Sequence, residues 1–298
     1  MKLQVVIVSD FEVWPGPMEG VGNNCFVSAV TALQLTDRWM SPFIRVTDNI
    51  PASRKLYSSI SGYLNSGLPV IVQLLGHNPE LLGRCGSIML EHHSVVGINL
   101  NLGCPSSRVV RHGGGGGLLR NPEKAVDVCL KTASLLPVGK LSVKLRAGFD
   151  DPDDMEKILP PLVSSGMISK IFFHYRTVCE LYDPSVLPLR DERITRAVKL
   201  CSEIPLIANG DIRDVSEAEH LVRVSGCAGV MIARPWMRDP FLLSRFHGIG
   251  IEPEEGRERF FNTLREAGIS GGALIEMAKM LWGRESERFS EILTEEKK

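Results

Sequence analysis

Cys104 stands in the run Asn99-Leu100-Asn101-Leu102-Gly103-Cys104-Pro105, between a turn-prone glycine and a proline. A thiol with the ordinary pKa of about 8.5 is mostly protonated at neutral pH, so a cysteine presented on a loop can act as a general acid. The competing assignment is a buried structural thiol, a common fate of free cysteine. Lys144 falls near the end of the apolar run Leu141–Arg146. An inward lysine there needs a negative partner, because an unpaired buried charge is expensive. That partner is either an anionic ligand or a neighbouring carboxylate. Asn209-Gly210-Asp211 and Ala233-Arg234 each follow a short apolar run. Glycine lets a backbone approach an anion closely and Arg234 supplies charge, so the two loops suit a phosphate.

The elements that must position these residues are short apolar runs near 13–18, 39–46, 69–75, 97–102, 141–146, 170–174, 205–209 and 229–232. They hardly alternate, which is how strands buried on both faces of a parallel sheet read. Between them lie helical patterns such as 121–136 and 216–224, with Asn78 and Asp214 where N-caps belong and Pro122 in a first turn. Eight βα units over about 240 residues match a TIM (β/α)8 barrel, whose chemistry sits at the strand C-terminal ends. A doubly wound sheet would alternate in the same way. Against it, no G-x-G-x-x-G follows the first strand, and polar motifs follow at least seven of the eight strands. From residue 251 the texture turns helical, and Leu274, Met277, Ala278 and Leu281 share one face. The division is thus 1–250 for the barrel and 251–298 for a small helical appendage.

Composition narrows the class. Of the 298 residues, 44% are hydrophobic and 23% charged, with a net charge of −1. No run approaches the ~20 apolar residues of a membrane helix, and the apolar opening at residues 1–9 is too short for a secretory signal and lacks its cleavage site. Seven scattered cysteines without C-x-x-C point to reduced thiols in a cytoplasm, with no metal site. The near-neutral charge gives no support to a nucleic-acid partner, so any RNA must be met by a local patch.

In order along the chain, the motifs resemble the tRNA-dihydrouridine synthases. The carriers are Gly16-Pro17-Met18-Glu19-Gly20-Val21, Val72-Gln73-Leu74-Leu75-Gly76, the Cys104 run with the glycines at 113–117, and Val143-Lys144-Leu145-Arg146-Ala147-Gly148. His174-Tyr175-Arg176-Thr177, Ile207-Ala208-Asn209-Gly210-Asp211-Ile212 and Gly229-Val230-Met231-Ile232-Ala233-Arg234 follow. The resemblance covers roughly residues 13–245, and the P-M-E-G-V opening and Q-L-L-G strand lean to the bacterial C-type. It implies an FMN flavoprotein that reduces uridine in the tRNA D-loop to 5,6-dihydrouridine, with NADPH as reductant and Cys104 as proton donor. A monomer is expected.

The resemblance further implies that Lys144 faces the N1–C2=O edge of the flavin, Gln73 its pyrimidine edge, Pro17, Met18 and Glu19 its ring, and His174 its flank. Asn209, Gly210, Asp211, Ala233 and Arg234 would take the phosphate end. Asn101, Arg176 and Tyr182 would meet the RNA, within a basic rim of Arg108, Arg111, Arg120 and Arg176. The chain departs from the family at Tyr175, Pro235 and Trp236, and its appendage carries eleven acidic against eight basic residues, a poor footprint for RNA. Two other readings fit part of the pattern: an FMN barrel acting on a small pyrimidine, and a divergent relative that binds flavin or RNA without turnover.

Overall fold

The computed structural model describes residues 10–296, so the opening stretch 1–9 discussed above lies outside the described residues. Among the described residues nine strands form one all-parallel sheet: β1 Glu12–Pro15, β2 Trp39–Met40, β3 Ile44–Arg45, β4 Val70–Leu75, β5 Val95–Leu102, β6 Leu141–Arg146, β7 Ile168–His174, β8 Leu206–Asn209 and β9 Gly229–Ile232. Their order is β1-β9-β8-β7-β6-β5-β4-β2, with β3 also on β4. The two ends, β1 and β2, touch without pairing, leaving a nearly closed (β/α)8 barrel.

The single strand expected at 39–46 is in fact two pieces laid end to end along β4, with Trp39 beside Val70 and Ile44 beside Leu74. Pro42 explains the break, because it has no N–H for the ladder. The Ser41 hydroxyl fills in, accepting from the Gln73 N–H at 3.1 Å and donating to the Pro42 carbonyl at 2.9 Å. The first strand, expected to reach Met18, stops at Pro15. A Cβ on Gly16 would lie 2.6 Å from that of Ala233, so only glycine lets the chain pass there.

Asn78, Asn121 and Asp214 each accept a backbone N–H of the first helical turn, and Pro79 and Pro122 open their helices. Apolar side chains segregate into two layers. Trp14, Met40, Phe172, Ile207 and Met231 fill the barrel, and a larger cluster lies between strands and helices. This is why the strands read as unbroken apolar runs.

Three helices, Pro253–Glu266, Gly271–Trp282 and Glu287–Glu295, follow the barrel. The face of Leu274, Met277, Ala278 and Leu281 is buried. Trp236 and Phe260 both meet the Phe26 ring edge-on at 5.7 Å. We propose the division 1–250 and 251–298 at the connection 248–251, although the apolar core runs across it.

Candidate active site

Cys104, Lys144 and His174 are carried at the ends of the neighbouring strands β5, β6 and β7, all on the C-terminal rim. They line one cavity of about 580 Å³ together with Pro17, Met18, Glu19, Gln73, Asn101, Tyr182, Asn209, Gly210, Asp211, Ala233 and Arg234. That size suits a bound organic cofactor.

The Cys104 loop is fixed by its backbone. Asn101 Oδ1 accepts from the N–H of Gly103 at 3.0 Å and of Cys104 at 2.9 Å, and the Cys104 carbonyl accepts from Gly116 at 3.0 Å. The glycine run lies directly beneath. A Cβ on Gly116 would meet the Cys104 carbonyl at 2.9 Å and Val178 at 2.7 Å, and Gly115 has φ +52°. Asn101 is thus partly committed to holding the cysteine. Its Nδ2 donates to Gln73 Oε1 at 2.8 Å, while Gln73 Nε2 donates to Asn99 at 2.8 Å and to Met40 Sδ at 3.3 Å. Gln73 keeps one oxygen lone pair and Asn101 one N–H for a ligand.

Among the described residues Lys144 Nζ bonds only the neutral Asn209 Oδ1, at 3.2 Å. Among the described residues no carboxylate lies within ion-pair distance, so the alternative of a structural salt bridge is not what the fold contains. Burial and the nearby Arg146 pull its pKa down to about 8. Burial also pushes His174 well below its ordinary value, helped by Arg146, Lys144, Arg176 and Arg234. The imidazole is therefore neutral near pH 7. Its Nδ1 accepts from the Arg176 N–H at 3.2 Å, which leaves the proton on Nε2 as a donor beside Gly210.

Asp211, in left-handed backbone at φ +50°, accepts from Tyr175 at 2.7 Å, from Arg176 and from Arg234 at 3.1 Å. Burial works to raise its pKa, but these three partners outweigh burial and hold it below the carboxylate range. Burial raises Glu19, against the opposing charge of Arg45.

Several expectations are corrected. Arg176 does not stand at the rim: it is 2% exposed, bonded to Asp211 and to the Asp183 carbonyl. Arg108, Arg111 and Arg120 do not line the cavity; Arg120 lies over the Phe149 ring instead. The basic lining comes from Lys144, Arg146, Arg234, Arg238 and Lys279. Trp236, one of the departures from the family, turns its indole into the barrel–appendage seam, where it donates to the Pro240 carbonyl at 2.8 Å. Tyr175 is buried and its ring packs beneath Gly210. Sequence reading missed Arg146 as a site residue, although strand parity with Lys144 places both on one face. It also missed Lys279, Met280 and Gly283, which reach the cavity from the appendage.

A cation without a carboxylate, an imidazole N–H, open glycine backbone and the apolar Met18, Met231 and Ile232 form a donor set that fits the anionic, planar FMN. These features define a barrel enzyme with an electropositive cavity at its C-terminal mouth. The chain belongs to the dihydrouridine synthase (Dus) family, whose model matches residues 15–266. It is 35% identical over 239 residues to the tRNA-dihydrouridine(16) synthase of Cupriavidus necator, covering 78% of this chain and 72% of that one. For the tRNA-dihydrouridine(16) synthase of Ralstonia nicotianae the identity is 34%, over 78% and 71%. The fold is also similar to a variant of NCR from Zymomonas mobilis, with a TM-score of 0.54 at 13% identity over 79% of this chain and 86% of that one.

Proposed function

We propose that the protein reduces uridine to 5,6-dihydrouridine at position 16 in the D-loop of tRNA, as a cytoplasmic monomer that holds FMN and takes electrons from NADPH. The position is drawn from the relatives' specificity. The observation that carries the reading is Lys144, a cation with no carboxylate partner among the described residues, set in the cavity that also holds Cys104.

Reduced FMN, when bound, supplies a hydride to one carbon of the uracil double bond. Cys104 donates its proton to the neighbouring carbon, and the thiolate left behind lies in the field of Lys144 and Arg146. Lys144 would favour an anionic ring edge, His174 Nε2 would donate to the ring, and Gln73 would offer its remaining lone pair. Pro17, Met18 and Glu19 would wall the ring, while the loops of Asn209–Asp211 and Ala233–Arg234 would take the phosphate. Tyr182, exposed at the mouth, supports the base, and Asn101 gives its spare N–H. The target must leave its stack to enter.

The test is anaerobic reduction with NADPH, addition of unmodified tRNA, and absorbance near 450 nm, in the range of oxidised flavin. Rapid reoxidation with dihydrouridine at position 16 of the recovered RNA is expected. Reduced flavin that ignores every tRNA would sink the reading.

A further inference from the structure

We propose that Arg146 is a positioning residue that ties the Cys104 loop to the Tyr182 loop, so that proton donor and mouth aromatic keep one relative placement. What those two side chains do rests on the function proposed above; the tie itself is geometry. Arg146 is 3% exposed at the end of β6. Its Nε donates to the Gly103 carbonyl at 3.0 Å, and its Nη1 to the carbonyls of Thr177 at 2.8 Å and Leu181 at 2.9 Å. One guanidinium thus grips the residue before Cys104 and the residue before Tyr182.

Burying an arginine among neutral carbonyls is costly, and among the described residues Arg146 makes no ion pair that would offset it. The fold keeps it where a planar fork of donors can bridge two loops, which a lysine cannot do. Leu181 gives a second, independent sign. Its φ is +48°, a left-handed conformation that leucine rarely adopts. The side chain is half-exposed, so packing alone is a weak reward, and the carbonyl bond to Arg146 joins the turn's own bonds, Leu181 N–H to the Val178 carbonyl at 3.3 Å and Asp183 N–H to the Glu180 carbonyl at 2.9 Å, in holding it. That turn presents Tyr182 between two guanidinium groups, Arg146 at 5.5 Å and Arg234 at 4.2 Å from the ring centre. Arg176 also grips this segment, at the Asp183 carbonyl, but Arg146 alone of the two reaches the cysteine's loop as well.

The experiment compares the flavin-loaded parent with Arg146→Lys, and with Arg146→Ala in the presence and absence of guanidinium ion. Two readouts are followed: iodoacetamide labelling of Cys104 by mass spectrometry, and flavin reoxidation at saturating tRNA. In Arg146→Lys the labelling rate is expected to change by about threefold or more and reoxidation to fall by about 100-fold, the size of effect a 1 Å misplacement produces. Millimolar guanidinium should restore part of both in Arg146→Ala. Parent-like labelling and reoxidation in Arg146→Lys would overturn the proposal. So would loss of flavin together with both readouts and no rescue, which would mark a merely structural arginine. If no tRNA reoxidises the parent, the proposed function falls, while the labelling contrast still decides whether Arg146 holds the Cys104 loop.

Discussion

The two ends of the barrel treat charge differently. At the N-terminal end the Glu12 carboxylate accepts from Lys170 at 2.6 and 2.5 Å, from the Trp14 indole at 2.7 Å and from Arg38 at 3.4 Å. Both cations also lie about the Trp14 ring, at 5.1 and 5.0 Å from its centre. At the C-terminal end Lys144 and Arg146 bond, among the described residues, only neutral oxygens. At the first end the cations Lys170 and Arg38 both find a carboxylate in Glu12. The second carries cations that an anionic ligand would complete, and that is the end from which barrels of this kind work.

The largest expected effect breaks the chemistry and leaves the charges alone. Cys104→Ala should slow tRNA-driven flavin reoxidation by about 10² to 10⁴, the range of a general acid, while NADPH still reduces the flavin. Stopped-flow traces of the two half-reactions separate these outcomes. Unchanged reoxidation would remove Cys104 from the mechanism.

A sharper contrast comes from making one substitution at both ends. Lys144→Met should weaken flavin binding by about tenfold to a hundredfold, the loss of one charge-assisted contact, yet raise the melting temperature of the flavin-free protein. Lys170→Met should leave flavin affinity alone and destabilise the fold by about 1–2 kcal/mol, because Glu12 loses its closest cation at a partly exposed site. Flavin titration and thermal melts on both variants test this. Melting shifts of the same sign would erase the distinction between the two ends.

Much of this was legible in the sequence, for identifiable reasons. Unbroken apolar runs revealed the parallel strands, and Asn78, Pro122 and Asp214 marked the helix starts in the places observed. The ordered motifs brought Cys104, Lys144, His174 and Asn209 to one rim because strand ends converge in a closed barrel. What stayed hidden depends on space rather than order. Nothing local says that Arg176 would turn inward onto Asp211, since its partner lies 35 residues away. Nor does the tail's acidic balance disclose that Lys279 and Met280 would reach the cavity, because that placement follows from how Trp236 and Phe260 seat the appendage on Phe26. Pro42 was in plain view, but its effect on strand length was masked by the apolar residues around it.

The smallest expected effect concerns pH, and its sign differs with and without ligand. In the flavin-free protein Lys144 has a pKa of about 8, whereas an unfolded lysine titrates near 10.4. Between those values the unfolded chain binds more protons, so Lys144 makes the flavin-free fold more stable as pH rises from about 8 towards 10. Flavin binding works the other way. The reduced, anionic ring edge needs the protonated amine, so affinity for reduced FMN should fall as pH passes 8, by at most about tenfold between pH 7 and 9 for one proton. Anaerobic melting curves across that range, with and without reduced FMN, should therefore converge as the stabilisation by flavin shrinks. In Lys144→Met both trends should flatten, while Lys170→Met should keep them. Retention of the full pH trend in Lys144→Met would assign it to another group and leave Lys144 without its role as the unpaired charge at the mouth.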